Sequence, residues 1–571
     1  MLNKTNRFIN KHICGNLQKG DSKPLYKFIA QHRSSDKGLH VTKISGSSND
    51  ADIANSFAQG FHSTFISDNN KMPTLPSMTK IEYPHKNLEV SVNGVAKLFE
   101  NLNHRKGPGP DLLRPSLLKF LSPLIAETFA SFYNYSLQTP SVPRDWKTAH
   151  VVPVYKKGSR EDALNYRPIS LTCISCKIME HIIAREIRQH FSINELFTDC
   201  QHGFRRNRSC ESQLLHTTSD VIASNNAGIQ TDIIVLDFSK AFDTVSHTKL
   251  VQKLRHYEVN SHIINWIEAW LSQRRFYVAV NNHVSDERFA TSGVPQGSVL
   301  GPVLFLIYIN DLPDSISCPT SIRLFADDAL VYRPIHSVKD QLILQQHISQ
   351  IVEWSKTWQL KFNISKCSVS SIKPVKFKFA YSHDNVEFCR VGSFKYLGVM
   401  ISDDLSFEDH IKAVTAKGSS ILYLLMRTLK NASTRAKRLA YFSICLPILE
   451  YSSEVWNPCR KKHINKLEAI NRRAFRWAYK LKKRDKITDH MKIENWQSLE
   501  ARRQQKDQRT LFKIYEQSLE LNYKLFVQRN ENYNTRNGNI RHTINTEAMR
   551  NSFFNRTLNT PLGELIVEQA T

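Results

Sequence analysis

Two stretches of this 571-residue chain combine apolar runs with carboxylates in a pattern suited to metal chemistry. In residues 321–332, the adjacent Asp327 and Asp328 separate two β-prone runs with alternating apolar residues, which predicts a half-buried hairpin. Adjacent like charges at the tip of an apolar hairpin are unfavourable unless cations neutralise them. Hard divalent ions such as Mg²⁺ prefer oxygen ligands and suit this tip.

A third carboxylate, Asp237, ends an apolar strand pattern that begins near Thr231. Two strands that deliver three carboxylates to one edge can hold two Mg²⁺ ions roughly 4 Å apart, as in polymerases. One ion would lower the pKa of a primer 3′-hydroxyl, and the other would hold a triphosphate and stabilise the leaving pyrophosphate. A lone aspartate is more often a turn or cap residue, so this prediction depends on both stretches together.

Basic residues follow one predicted pair of strands. Lys156 and Arg167 lie on either side of a basic turn, where Arg offers a planar fork of donors and Lys a point charge. Together they could clamp a triphosphate. A solvated basic hairpin fits the same residues, and the local sequence does not separate the two interpretations.

Two loops combine glycine with residues that could contact nucleic acid or nucleotide. The loop of residues 201–209 contains Gln201, Gly203, Phe204 and Arg205, and an aromatic residue with arginines near a helix start suits a phosphate backbone or a stacked base. In the second loop, residues 293–298, a Pro-Gln-Gly turn allows close backbone approach. Its residues Gln296 and Gly297 would then face nucleotide or sugar edges, and Ser298 would cap the next helix. A plain solvated loop is the alternative in both cases.

Two further basic features lie towards the C-terminus. Lys366 is a candidate to protonate pyrophosphate, with an ordinary surface lysine as the alternative. The helical pattern of residues 464–481 carries Arg472, Arg473 and Arg476 beside an apolar face. Such a helix could follow the backbone of a duplex, although a merely solubilising face has the same composition.

The overall charge favours a polyanionic partner. The chain has 78 Lys and Arg against 52 Asp and Glu, a net charge of +26, which favours nucleic acid or an acidic membrane surface. If about seven phosphates were neutralised, affinity would fall by about 10³ or more between about 50 and 200 mM salt. The longest apolar run, residues 299–309, is too short to span a bilayer, so we expect no membrane partner.

Cysteine usage and the N-terminal sequence bear on the compartment. The 10 cysteines show no disulfide framework, and Cys173 and Cys176 form a C-x-x-C without a second pair, which favours buried thiols over a metal site. A reducing compartment and no disulfide-linked partner are therefore expected. Because no secretory leader opens the sequence, we predict a nuclear and cytoplasmic location.

Periodicity predicts a mixed α+β chain. Apolar spacing indicates strands over 146–155 and 231–237 and hairpins near 275–292, 321–332 and 393–399. Helices are predicted from apolar residues at helical spacing. Their ranges are 52–65, 90–102, 112–137, 176–191, 209–222, 247–257, 262–272, 338–358, 407–429, 435–450 and 464–481.

Taken together, these blocks resemble the reverse transcriptases of non-LTR (LINE-type) retrotransposons, closest to the jockey-like and chicken-repeat-like branches. The resemblance covers about residues 90–480. The blocks that carry it stand in family order: residues 165–171, 201–205, 237–243, 293–302, 325–328, 360–366 and 396–398.

The resemblance implies a right-hand polymerase with fingers, an antiparallel palm sheet and a helical thumb, flanked by N- and C-terminal extensions. The implied divisions are a linker-like segment (1–89), an N-terminal extension with fingers (90–230), palm (231–402), thumb (403–485) and a basic C-terminal extension (486–571). Its partners would be an RNA template, a DNA primer or target and dNTPs. The oligomeric state stays open.

The resemblance also assigns roles residue by residue. The metal ligands would be Asp237, Asp327, Asp328 and the Phe238 carbonyl, for two Mg²⁺ with Mn²⁺ as a substitute. Phe242 matches the aromatic gate that excludes a ribose 2′-hydroxyl. Gln296 and Gly297 match the loop over the incoming nucleotide, Lys156 and Arg167 the triphosphate-binding residues, and Lys366 the general acid.

Two alternatives to an active reverse transcriptase follow. Elements of this branch usually carry an endonuclease before the polymerase, and the first 90 or so residues show no such pattern, so a catalytically silent nucleic-acid-binding remnant is the second interpretation. An RNA-templated RNA polymerase is the third. Phe242 argues against it, because a bulky ring at this position blocks ribonucleotides.

Overall fold

The computed structural model describes residues 41–75 except residue 42, residues 81–521 and residues 547–558, with a few isolated positions besides. Much of the predicted linker-like segment and the Asn-rich stretch after residue 521 therefore lie outside the described residues. In the described part, no helix is both long and apolar enough to cross a bilayer.

Strands in the described part of the chain form two five-stranded sheets and two small two-stranded sheets. In chain order they are β1 (Thr148–Tyr155), β2 (Tyr166–Leu171), β3 (Gln230–Asp237), β4 (Arg274–Val280), β5 (His283–Val284), β6 (Arg288–Ala290), β7 (Ser321–Phe325), β8 (Asp328–Ile335), β9 (Ser368–Ile372), β10 (Ser382–His383), β11 (Val386–Glu387), β12 (Cys389–Arg390), β13 (Ser393–Tyr396) and β14 (Val399–Ser402). The first sheet has the order β2-β1-β4-β5 with β6 on β4, and the central sheet has the order β12-β9-β3-β8-β7.

Helices surround both sheets and make up the C-terminal part. They are α1 (Asp50–His62), α2 (Val92–Glu100), α3 (Pro115–Gln138), α4 (Arg144–Lys147), α5 (Ile174–Ile193), α6 (Cys210–Asn226), α7 (His247–His256), α8 (Ser261–Leu271), α9 (Gly301–Tyr308), α10 (Val338–Thr357), α11 (Glu408–Thr428), α12 (Thr434–Ala440), α13 (Leu446–Glu450), α14 (Ser453–Trp456), α15 (Lys461–Tyr479), α16 (Thr488–Ile493), α17 (Leu499–Tyr515), α18 (Glu547–Arg550) and α19 (Phe553–Leu558). This mixture of helices and mostly antiparallel strands confirms the predicted α+β class.

Strand β3 lies in the middle of the central sheet and is covered on both faces. Ile234 and Leu236 belong to the core beneath α5, α9 and α10, whereas Ile233 belongs to the core shared with the C-terminal helices. Burial on two faces explains why the strand is a nearly continuous apolar run. The strand ends at Asp237, and the next residue, Phe238, returns to the first of these cores.

Most predicted elements are found within a few residues, because their apolar spacing matches the cores that they face. Two details differ. Residues 435–450 do not form one helix: a π-helical turn, Tyr441–Cys445, separates α12 from α13. Ser298 is not the N-cap of α9, which is Leu300, although the Ser298 hydroxyl accepts a hydrogen bond from the Gly301 N–H at 2.9 Å.

The C-terminal helices are tied to α6, the helix that follows the 201–209 loop. Lys506 of α17 forms ion pairs with Glu211 of α6 at 2.9 Å and with buried Glu454 of α14 at 2.8 Å. Beyond the end of α17, Glu520 pairs with Arg208 at 2.8 Å. These contacts fix the helical part relative to the central sheet near the predicted site.

Candidate active site

The three predicted carboxylates meet at one edge of the central sheet. Strands β7 and β8 form a hairpin whose two-residue turn is Ala326 and Asp327, and β8 pairs with β3 in a register that sets Asp328 directly opposite Asp237. Directly opposed residues of an antiparallel pair have Cβ atoms about 4.5–5.5 Å apart. The structure therefore brings together the two carboxylate stretches that lie 90 or so residues apart in sequence.

The carboxylates at this edge of the sheet repel one another, as is expected of a cation site. Burial, followed by the charges of Asp327 and Asp237, raises the pKa of Asp328 to about 6. Burial and the Asp237 charge also raise the pKa of Asp327. Like charges held together at a partly desolvated edge favour any bound cation, and hard carboxylate oxygens suit a divalent metal.

The cation that the structure does place here is a lysine. Lys366 Nζ lies 2.5 Å from Asp237 Oδ2, and among the described residues no three acidic, His or Cys side chains already converge as a metal site. The lysine is carried by a 3₁₀ turn that is fixed by a hydrogen bond from the Asn363 N–H to the Asp237 carbonyl at 2.7 Å. Beside it, the ring of Phe238 stacks on Phe362 with centroids 4.4 Å apart.

A cleft of ≈ 620 Å³ opens in front of the carboxylates. Its walls come from the first sheet, the turn after β3, the loop before α9 and the hairpin. The residues that sequence analysis singled out and that line this cleft are Lys156, Arg167, Phe204, Asp237, Phe238, Phe242, Gln296, Gly297, Asp327 and Lys366.

Lys156 and Arg167 face the carboxylates from across the cleft. They come from the antiparallel pair β1 and β2, whose register extends to a hydrogen bond from the Lys156 N–H to the Asn165 carbonyl at 2.9 Å. Burial and then the neighbouring Arg167 and Lys366 charges lower the pKa of Lys156. This concentration of positive charge is suited to an anionic ligand between the two walls.

The turn after β3 and the loop before α9 are fastened to each other by main-chain hydrogen bonds. The Val294 N–H donates to the Phe242 carbonyl and the Gly293 N–H to the Val245 carbonyl, both at 2.8 Å. Gly293 has a φ of +84°, and a Cβ there would lie 2.7 Å from the Asp243 carbonyl oxygen, so only glycine fits. The Phe242 ring is held by stacking on Phe305 with centroids 4.4 Å apart.

The loop over the cleft also rests on the first sheet. The Gln296 carbonyl accepts a hydrogen bond from the Ser170 N–H at 2.7 Å. Gly297, at a φ of +116°, approaches the Ser170 carbonyl so closely that a Cβ would lie 2.6 Å from its oxygen. The glycine of the Pro-Gln-Gly turn therefore allows the backbone of this loop to contact the backbone of β2.

The 201–209 loop differs from what its composition suggested. Gln201 is buried, and its Oε1 accepts hydrogen bonds from the Gly203 N–H at 2.7 Å and the Ala326 N–H at 2.9 Å. The side chain therefore supports the carboxylate hairpin and does not face solvent, where nucleic acid would lie. Arg205 also turns inward, over the Phe197 ring at 4.8 Å, which leaves Phe204 as the exposed member at the cleft.

The three arginines of α15 lie away from this cleft and on two sides of the helix. Arg473 contacts Tyr423 of α11, with a hydrogen bond of 3.1 Å. Arg472 and Arg476 border a separate groove of ≈ 880 Å³ beside α16. The sequence pattern had predicted a single basic face, and the structure does not bring the three arginines together on one surface.

Two buried carboxylates near the cleft were not assigned a role from the sequence. Glu180 of α5 accepts hydrogen bonds from the Val299 N–H at 2.6 Å and the Leu300 N–H at 3.1 Å, at the start of α9. Asp243 accepts one from the Gln296 side chain at 2.8 Å. The only signal for Glu180 was an acid within the apolar face of a helix, and such acids are rarely buried without partners. Cys173 and Cys176, by contrast, are buried thiols as expected.

Comparison with known proteins agrees with this geometry. Residues 154–401 match the family described as reverse transcriptase (RNA-dependent DNA polymerase). A probable RNA-directed DNA polymerase from transposon BS of Drosophila melanogaster is 28% identical over 460 residues, which cover 75% of this chain and 49% of the relative. The polymerases from mobile element jockey and, as a probable one, from transposon X-element, both of D. melanogaster, are 26% and 27% identical, covering 68% and 67% of this chain and 43% of each relative.

The chain thus spans about half the length, or less, of these curated relatives. The matched residues hold both carboxylate strands, Lys156 and Arg167, and the loop before α9, which are the parts that meet at the cleft. Over residues 154–401, which are less than half of the chain, the sequence is thus similar to the reverse transcriptase (RNA-dependent DNA polymerase) family, and its curated relatives include polymerases named from transposons and mobile elements.

Proposed function

We propose that this chain is an RNA-directed DNA polymerase of a retrotransposon, which transfers a nucleotide from a dNTP to a primer 3′-hydroxyl on an RNA template. The observation that carries this proposal is the register that sets Asp237 opposite Asp328, with two basic side chains across a cleft large enough for a nucleotide. Polymerases use such paired carboxylates for nucleotidyl transfer.

The carboxylate edge fits the metal ions that the family generally uses. Asp237, Asp327, Asp328 and the Phe238 carbonyl would hold two Mg²⁺, with Mn²⁺ as a substitute, and these would supply activation of the 3′-hydroxyl and stabilisation of pyrophosphate. The raised pKa values of Asp327 and Asp328 support this proposal, because they indicate negative charge that the protein itself leaves poorly compensated.

The other walls of the cleft bind and orient the substrates. Lys156 and Arg167 bind the triphosphate, where the guanidinium fork and the ammonium charge neutralise its oxygens. Lys366 is close enough to Asp237 to reach the same phosphates, and it donates a proton to the leaving pyrophosphate. Phe242, which is held by its stacking on Phe305, would block a ribose 2′-hydroxyl and so select deoxynucleotides.

The architecture is consistent with a right-hand polymerase fold. In this proposal the first sheet and the 201–209 loop belong to the fingers (within 90–230), the central sheet to the palm (231–402) and α11 to α15 to the thumb (403–485). Residues 1–89 and 486–571 flank these parts. Phe204, the exposed aromatic of the cleft, would contact the template, and Arg472, Arg473 and Arg476 would contact the duplex backbone from two sides of α15.

Primer extension tests this proposal. Purified protein is incubated with poly(rA)/oligo(dT), dTTP and Mg²⁺ or Mn²⁺, with Asp237→Asn as the matched control. We expect extension by the wild type only, together with similar RNA binding by both proteins. Folded wild-type protein that binds RNA but extends no primer with either metal would contradict the proposal and leave a catalytically silent nucleic-acid-binding remnant. The nuclear and cytoplasmic location stays a prediction.

A further inference from the structure

Asp243 is a buried acid beside the nucleotide cleft, on the turn that follows Phe242. The residue is 6% exposed. Oδ1 accepts a hydrogen bond from Gln296 Nε2 at 2.8 Å, whereas Oδ2 is buried without a hydrogen-bond partner among the described residues. A buried carboxylate oxygen without a partner costs free energy, so a purely structural role would be served better by a neutral side chain.

The attachment of the two loops does not need this carboxylate. It uses main-chain atoms: the Phe242 and Val245 carbonyls accept from the 293–294 backbone, and the Asp243 carbonyl accepts from the Ser292 hydroxyl at 2.7 Å. The carboxylate group itself accepts one hydrogen bond, from the Gln296 carboxamide. The Asp243 carboxylate therefore acts on the Gln296 side chain.

An ionised carboxylate determines which end of a carboxamide it meets. It can only accept hydrogen bonds, so it binds the NH₂ end of Gln296 and rejects the carbonyl end. Burial raises the pKa of Asp243 to about 6, which leaves it ionised at neutral pH and above, and Lys240 is the nearby charge that lowers the pKa. With one Nε2 hydrogen engaged by Asp243, Oε1 is the acceptor that half-buried Gln296 has left for the cleft that it lines.

We propose that Asp243 is a positioning residue that fixes the Gln296 carboxamide so that its oxygen accepts a hydrogen bond from a hydroxyl or amino group of the incoming nucleotide. This inference rests on the proposed function, since it assumes that a nucleotide occupies the cleft. Without the carboxylate, the amide would present its oxygen or its NH₂ group with similar ease, and part of the bound population would offer a donor where an acceptor is needed.

A double-mutant cycle on nucleotide binding tests this role. Asp243→Asn keeps the shape but can donate or accept, so it removes the orientation preference. Gln296→Met removes the carboxamide at similar length. The affinity for dTTP is measured with Mg²⁺ on poly(rA) annealed to a dideoxy-terminated oligo(dT), so that no chemistry intervenes, and thermal unfolding reports on the fold of each variant.

We expect Asp243→Asn to weaken dTTP binding about three- to tenfold in the wild-type background, the range of one misoriented hydrogen bond. In the Gln296→Met background it should change the affinity less than about twofold, because the group through which it acts is gone. If Asp243→Asn does not fold, Asp243→Ser, whose hydroxyl can also donate or accept, replaces it in the same cycle.

Equal losses in both backgrounds would show a general structural role and overturn the inference, as would no loss in the wild-type background. The cycle is separate from turnover: coupling in a protein that fails to extend primers supports the positioning role while the proposed function fails, and normal extension without coupling overturns the positioning role alone. Absence of any dTTP binding by the wild type overturns both.

Discussion

A methyl group added at Gly203 tests whether the loop behind the hairpin positions the catalytic carboxylates. A Cβ at this residue would lie 2.4 Å from the Ala326 main-chain nitrogen and 3.0 Å from both the Phe325 carbonyl carbon and Gln201 Oε1. The nearest approach is about 1 Å shorter than an ordinary contact between non-bonded atoms. The nearest neighbours are backbone atoms, which cannot rotate away, so the turn that carries Asp327 must move.

The size of the effect follows from this displacement. A shift of about 1 Å in a catalytic group can lower the rate about 10²-fold, so we expect Gly203→Ala to lower kcat/KM about a hundredfold. Overpacking at a well-packed position costs about 1–3 kcal/mol of stability, so the protein should remain folded with a lower Tm. The loss of activity should therefore be much larger than any unfolded fraction explains.

The assay is steady-state primer extension on poly(rA)/oligo(dT), with Tm measured on the same samples. Gly392→Ala is the matched control, because a Cβ there meets nothing within 4 Å. It should change neither quantity. Gly203→Ala protein with wild-type kcat/KM would show that the hairpin does not depend on this contact and would refute the positioning argument.

Three further predictions concern the cleft itself. Phe242→Ala should admit ribonucleotides because the ring that fills the 2′ position is gone; incorporation of NTPs beside dNTPs measures this, and unchanged selectivity would count against the gate. Asp327→Asn should abolish extension while RNA affinity, measured by filter binding, changes little; retained extension would exclude Asp327 from the metal site. In EDTA at pH 7.5, Asp328→Asn should raise Tm, because the ionised carboxylate beside Asp237 and Asp327 destabilises the fold. The folded-state pKa of about 6 lies above the unfolded value of about 3.9. The Tm difference between the variant and the wild type should therefore shrink as the pH falls from about 6 to about 4. Mg²⁺ should raise the Tm of the wild type more than that of the variant. A lower Tm for Asp328→Asn in EDTA would contradict the electrostatic account.

Local sequence predicted the parts of the site that are contiguous in the chain. The hairpin of residues 321–332 and the strand that ends at Asp237 were both predicted, because the apolar pattern of neighbouring residues indicates which side chains of a strand are buried. The same holds for α1, whose residues Ile53, Phe57 and Phe61 share one buried face. The order of the blocks then indicated which carboxylates belong together.

Contacts between distant segments were beyond such reasoning. The 201–209 loop looked like a nucleic-acid contact because its composition is basic, yet Gln201 reaches Ala326, 125 positions away, and serves the hairpin. Glu180 holds the start of α9 across 119 positions. Similarly, Arg472 borders the groove beside α16, whereas Arg473 contacts Tyr423 of α11 on another side of α15.

The sequence by itself thus determined the strands, the hairpin and the types of side chain available for chemistry, because these depend on residues within one or two turns or strands of each other. The tertiary structure decided which polar groups face the cleft and which are consumed in supporting it. Whether a Gln or an Asp binds a ligand or another part of the chain depends on what is packed within about 3 Å of it. In a chain of this length, that neighbour is often a hundred residues away.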